Sequence, residues 1–309
     1  MGINQNKTHL DMNVSRRRFL KTSGLLSIGI PLLSFDLVGK ARKSDKFFSK
    51  IGVCTSISNS SILSKAGYSY LEEGVRSFLV PTETDEAFNE KLLLLKASGI
   101  PVESCNSFLP GDLKCVGPET HHEKILQFAE TAFRRAKQAG IKTIVFGSGG
   151  SRNIPDGFSR DEAKNQFIEI CKKMAPLASE HGLVISLEPL NSKECNFITS
   201  VKEGGQIVKA VGHPNFRLLA DIYHMLMENE GPESIIENGK LLYHIHIAEK
   251  EGRSAPGVHG EDFTPYFRAL KETGYKGRIS IECRWENLEK QAEMALQTLN
   301  KQIESLKKT

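Results

Sequence analysis

From residue 48 to the end of the chain, short apolar runs of strand length alternate with longer helical patterns, and the count reaches eight of each. The strand-like runs fall near 50–56, 68–73, 100–107, 141–147, 183–188, 216–221, 241–247 and 278–283. The helical patterns lie near 59–66, 84–98, 119–139, 160–181, 200–211, 233–239, 262–273 and 286–307. Parallel strands need a crossover between them, and a helix is the usual one. Ala97-Ser98-Gly99-Ile100-Pro101, Gln138-Ala139-Gly140-Ile141 and Glu180-His181-Gly182-Leu183 each read as helix end, glycine turn and new strand. Strict alternation through eight units predicts an α/β fold closed into a (β/α)8 TIM barrel, in preference to an open doubly wound sheet. No Gly-x-Gly-x-x-Gly follows the first strand, which removes the main argument for dinucleotide binding.

A chain of 309 residues accommodates one large barrel and leaves no room for a second substantial domain. Residues 1–40 read as an export signal with a flexible linker, and residues 41–309 as the single barrel domain. Ser15-Arg16-Arg17-Arg18-Phe19-Leu20-Lys21, followed by the modestly apolar Gly24-Leu25-Leu26-Ser27-Ile28-Gly29-Ile30-Pro31-Leu32-Leu33, resembles a bacterial twin-arginine signal. That resemblance implies a periplasmic protein, carried across the membrane already folded. No run of eighteen apolar residues occurs, so no stable membrane span is expected after processing. The first forty residues hold six Lys/Arg and two Asp/Glu; removing them from totals of 41 and 37 leaves 35 of each sign. A neutral barrel argues against a broad nucleic-acid surface.

Four acid or imidazole side chains close four successive strand-like runs in the second half: Glu188 in VISLEPLN, Asp221 in RLLADIYHM, His246 in LYHIHIAE and Glu282 in RISIECRW. Their spacings of 33, 25 and 36 residues are each about one strand plus one helix, so a parallel barrel brings all four to the same end. Strand alternation puts Glu188 on a face with Ser186 and Val184, Asp221 with Leu219, His246 with His244, and Glu282 with Ser280. One such residue alone is usually a helix cap or a satisfied polar group. Three converging carboxylates repel one another unless a cation or shared protons compensate, and that points to a divalent-metal site. His244, one layer lower, reads as a hydrogen-bonded core histidine. Glu194, His224 and Arg253 follow Glu188, Asp221 and His246 by six, three and seven residues, on loops where barrel enzymes keep substrate contacts.

These pieces together resemble the sugar isomerase/epimerase family of xylose isomerase-like barrels, and within it the ketose 3-epimerase branch. The motifs that carry the likeness are Leu187-Glu188-Pro189-Leu190-Asn191, Asp221-Ile222-Tyr223-His224-Met225, His244-Ile245-His246 with Glu249, Arg253-Ser254-Ala255-Pro256-Gly257, Ser280-Ile281-Glu282 and Cys105-Asn106-Ser107-Phe108-Leu109-Pro110-Gly111. The resemblance implies one divalent metal held by Glu188, Asp221, His246 and Glu282, with Glu188 and Glu282 also flanking the reacting carbon. It implies that Glu194, His224 and Arg253 hold substrate oxygens. The arginine stands seven residues after the histidine where the family pattern has six, which places one extra residue within 249–252.

Oxygen-rich ligands with one imidazole suit Mn first, with Mg, Co or Zn as alternatives. Such a centre supports abstraction of a proton next to a carbonyl through a metal-bound enediolate, with no redox cofactor. The expected activity is that of an isomerase or epimerase on a small, non-phosphorylated sugar or sugar-derived ketone. A lyase or hydratase acting on a 3-oxo sugar, glycoside or inosose shares the first step and stays open, as does a non-catalytic sugar-binding barrel. An endonuclease of the related barrel type would need early-strand histidines, and none lies in the first three strand-like runs. A homo-oligomer is left open.

The smaller signals are read structurally. Phe146-Gly147-Ser148-Gly149-Gly150-Ser151 is expected to be a rim loop, with a phosphate cradle as the alternative. Glu72 and Glu73 either reach the pocket or serve as solvated or capping groups. His121 and His122 are expected at the surface, and Cys54, Cys105 and Cys283 as small buried hydrophobes.

Overall fold

The computed structural model describes Phe48 and residues 50–306; the twin-arginine segment falls outside them. Eight parallel strands close in sequence order into a barrel: β1 (Lys50–Cys54), β2 (Tyr70–Gly74), β3 (Val102–Asn106), β4 (Thr143–Phe146), β5 (Val184–Leu187), β6 (Phe216–Asp221), β7 (Leu242–Ile247) and β8 (Arg278–Ile281). Closure is direct, with Gly52 of β1 in register with Ser280 of β8 and with Tyr70 of β2.

The helices are α1 (Ser60–Ala66), α2 (Asp85–Ala97), α3 (His122–Ala139), α4 (Gly149–Arg152), α5 (Arg160–Glu180), α6 (Val201–Val211), α7 (Ile222–Met227), α8 (Glu233–Asn238), α9 (Thr264–Glu272) and α10 (Leu288–Ser305). Their ends follow local chemistry. Thr84, Ser159, Ser200 and Asn287 accept a backbone N–H at the starts of α2, α5, α6 and α10. Gly67, Gly140 and Gly212 close α1, α3 and α6 in the left-handed region. Short α4 and α7, and a π-helical turn at Val75–Leu79, interrupt loops where the sequence pattern shows no helix.

The apolar core lies between the sheet and the helices. Phe108, Phe128, Phe133, Phe146, Phe167 and Phe197 form a chain of ring contacts there, with centroids 5.4–6.2 Å apart. Each buried ring of this kind contributes about 1.5–3 kcal/mol. The interior of the barrel is different: it is polar. Tyr70, Glu72, Ser104, Thr143, Ser186, His244 and Ser280 are all at most 1% exposed. Gly52 makes space for this filling, because a Cβ there would stand 2.5 Å from the Tyr70 ring. At the lower end Arg278 donates to Glu103 Oε2 at 2.7 Å, and Lys50 pairs with the same carboxylate. The upper end is where the sequence places its acids.

Candidate metal and substrate site

Asp221 is the last residue of β6, His246 lies in β7, and Glu188 and Glu282 directly follow β5 and β8. Closing the barrel brings one ligand-type atom of each within 4.8 Å of the others. Atoms bound to one cation at about 2.0–2.6 Å lie at such separations, and three carboxylates with one imidazole are a fitting donor set for a divalent ion. His246 Nδ1 lies 3.0 Å from Glu188 Oε1 and 3.3 Å from Glu282 Oε2.

The electrostatics show how tightly charge is gathered. Burial pushes the Glu188 carboxyl up, and Glu282 beside it pushes the same way. Burial likewise raises Asp221 to about 6, against the pull of Arg253. Glu282 also meets a burial penalty, but His246 and Arg253 outweigh it and hold its pKa down to about 2. Burial opposes charge on His246, yet Glu72 and the neighbouring acids keep its imidazole well above the usual range. A cation among these groups relieves the carboxylate repulsion directly.

A pocket of about 280 Å³ opens above the cluster, with Asn106, Gly147, Glu188, Glu194, His224, Arg253 and Glu282 among its lining residues. His224 is 4% exposed. Its Nδ1 accepts the backbone N–H of Asn191 at 3.2 Å, which leaves the proton on Nε2; that buried nitrogen makes no hydrogen bond, though Asp221 Oδ2 stands 3.4 Å away. Arg253 donates to Glu282 Oε2, stands 3.4 Å from Asp221 Oδ2 and 3.6 Å from Glu194 Oε1, and lies over the Tyr223 ring. Five of the seven residues singled out in the sequence line this pocket, and Asp221 and His246 lie in the cluster with Glu188 and Glu282. Gly252 and Arg253, in the loop after β7, take two successive left-handed backbone conformations. Glu249, fully buried, accepts four backbone N–H groups from Gly257, His259, Gly260 and Glu261, and so holds together the loop that carries Arg253.

Other positions correct or extend the sequence reading. Residues 147–151 do more than form a rim: a Cβ on Gly147 would stand 2.2 Å from Glu188 Oε2, so this glycine makes room for the carboxylate. Asn106 Nδ2 donates to Glu282 Oε1 at 2.8 Å, and Asn191 Nδ2 to Glu194 Oε1 at 2.9 Å. Cys105 and Cys115 are buried free thiols, whereas Cys54 and Cys283 are only half-buried. Cys54 points into the barrel with Sγ 4.0 Å from His246 Nε2, instead of packing in the apolar layer. His121 and His122 are half-buried because Nδ1 of His121 accepts from Lys114 N and Nε2 of His122 meets Cys115 O. The two glutamates of β2 point opposite ways. Glu73 accepts backbone N–H groups of Ile57 and Gly74, while Glu72 lies inside the barrel beneath the site.

The closed barrel and its acid-rich upper rim define the class. The chain belongs to the xylose isomerase-like TIM barrel family, whose profile matches residues 61–307. It is similar to a putative hydroxypyruvate isomerase of Mus musculus, 31% identical over 164 residues, which are 50% of this chain and 58% of that protein. The chain thus spans little more than half the length of that relative. It is also similar to an L-ribulose 3-epimerase of Methylomonas sp. (strain DH-1), 26% identical over 244 residues, covering 72% of this chain and 82% of that one. Among solved structures, D-psicose 3-epimerase of Clostridium cellulolyticum H10, determined with D-tagatose, matches with a TM-score of 0.73 at 20% identity, covering 82% of this chain and 99% of that one. The 3-keto-D-glucoside 4-epimerase of E. coli gives 0.70 at 20% identity with the same coverages. At these identities the structural matches speak to the fold alone.

Proposed function

We propose that this protein is a divalent-metal-dependent sugar isomerase or epimerase of the ketose 3-epimerase type, with Mn as the first choice of metal. The observation that carries the reading is the meeting of Glu188, Asp221, His246 and Glu282, within 4.8 Å, at the floor of a pocket sized for a small ligand. The epimerase and isomerase names of its relatives support it. A cation bound by these four residues would supply the positive charge that makes hydrogen next to a carbonyl acidic.

The chain's own residues do the rest. Glu188 and Glu282 come from β5 and β8, three strands apart around the barrel, so a carbon held between them is met from two sides. One carboxylate removes the proton and the other returns one to the opposite face. The Nε2–H of His224 and the Arg253 guanidinium bind substrate hydroxyls, and Glu194 accepts a hydrogen bond from one. The twin-arginine resemblance supports a periplasmic reaction and favours a free sugar as substrate.

The test is product analysis. Protein loaded with Mn is incubated with ketohexoses and ketopentoses, and the products are resolved by stereochemistry. The expected result is inversion next to the carbonyl, abolished by a chelator and restored by Mn. An unsaturated product would assign the protein to the lyases instead, and tight sugar binding with no product would make it a binding protein.

A further inference from the structure

Beneath the proposed metal ligands sits a second carboxylate that the reaction does not use. Glu72 is 1% exposed, inside the barrel. Its Oε2 meets Ser280 Oγ at 2.6 Å, Ser104 Oγ at 2.7 Å and His244 Nε2 at 2.8 Å, and its Oε1 meets His246 Nε2 at 2.9 Å. Its ion-pair partners among the described residues are these two histidines, with no lysine or arginine. A buried carboxylate without a fixed cation is an expensive way to fill a barrel. Glu72, His244 and His246 also lie at ligand-like separations. Four hydrogen-bond donors already surround the Glu72 carboxylate, three at Oε2 and one at Oε1, so this triad reads as a hydrogen-bonded layer rather than a second cation site.

We infer that Glu72 is a positioning residue that holds the ring proton of His246 on Nε2 and thereby presents Nδ1 to Glu188, Asp221 and Glu282. A ligating imidazole offers one nitrogen and donates from the other, and the acceptor of that second bond fixes both tautomer and ring orientation. Here the two nitrogens are cleanly divided: Nε2 faces Glu72 below, and Nδ1 faces Glu188 and Glu282 above. The proton that a cation must displace is then the one on Nδ1, while the Nε2 proton stays. Ser104, Ser280 and His244 all bond to Oε2, and Oε1 is left to His246. This inference rests on the proposed metal site, and its test separates the two.

Zn affinity is measured by calorimetry on wild type, Glu72→Gln and Ser280→Ala, and the His246 ring is followed by 15N NMR with and without Zn. Glu72→Gln keeps the shape and removes the charge; it is expected to weaken Zn binding about 10–100-fold and to shift the His246 Nε2 proton resonance. Ser280→Ala leaves the Glu72–His246 contact in place and is expected to stay within about threefold of wild type, which a general role for the polar layer would not produce. Wild-type affinity with an unchanged His246 resonance in Glu72→Gln, or equal losses in both variants, would overturn the inference. If wild-type protein binds no divalent ion, the metal reading fails, and the metal-free spectra still decide: an Nε2 proton signal that is lost or shifted in Glu72→Gln upholds the role of Glu72, and one unchanged in that variant overturns it.

Discussion

Replacing Gly147 by alanine tests whether the position of Glu188 matters to within an ångström. The added Cβ would lie 2.2 Å from Glu188 Oε2, 3.4 Å from Glu188 Cδ and 3.5 Å from Leu190 Cδ2. Ordinary carbon–oxygen contact needs a little over 3 Å, so the carboxylate must retreat by about 1 Å, and misplacement of that size costs on the order of 100-fold in rate. Retreat is not free, because Glu188 Oε1 is 3.0 Å from His246 Nδ1 and its backbone carbonyl accepts from the buried Arg152 at 2.8 Å. The expected outcome for Gly147→Ala is a folded barrel with weakened Mn binding and kcat/KM lowered about 100-fold. Calorimetric titration with Mn and steady-state kinetics on an epimerised ketose measure the two losses. Combined with Glu188→Asp, whose shorter side chain vacates the contested space, the alanine should cost clearly less than it does alone, a non-additivity expected of touching residues. Wild-type Mn affinity and turnover in Gly147→Ala would refute the argument that this glycine exists for Glu188.

Further expectations follow the same geometry. Glu188→Gln and Glu282→Gln should each lose metal affinity by more than about 100-fold, and nearly all turnover, while circular dichroism stays that of a folded barrel, since a direct ligand should matter more than an outer contact. His224→Ala should bind Mn normally but raise KM and lower kcat, together about 10–100-fold for the loss of a buried donor to substrate; loss of the metal instead would make His224 a ligand. Replacing Arg16, Arg17 and Arg18 together by lysine should leave the protein in the cytoplasm of its host, and unchanged periplasmic recovery by fractionation would argue against the twin-arginine route.

The four acid and imidazole residues of the upper rim were legible in sequence because each ends a strand, where chain order and parity settle its position before any packing is known. Arg253 was legible only through its motif, since a loop with two successive left-handed residues, Gly252 and Arg253, leaves no periodic trace. Glu72 was not legible as a central group. Its partners come from β3, β7 and β8, and they meet it only once the sheet has closed. Gly147 meets Glu188 from the end of the neighbouring β4, and Asn106 of β3 reaches Glu282 across the barrel mouth, contacts that no pattern along the chain encodes. The polar barrel interior has the same origin: alternation showed which side chains face inward, and closure decided which hydrogen bonds they make.

The central claim is that a carbon-bound hydrogen next to a carbonyl becomes labile in the pocket only when the four-residue cluster holds a cation. Proton NMR in deuterated water measures this directly, with Mn-loaded protein acting on a ketose and Mn removed before the spectrum is recorded. The expected result is loss of the signal from the hydrogen adjacent to the carbonyl, together with appearance of the epimer or isomer. No loss is expected with chelated protein or with Glu188→Gln. Exchange that proceeds equally well in the chelated protein, or a ketose that binds the Mn-loaded pocket and shows neither exchange nor product, would contradict the claim.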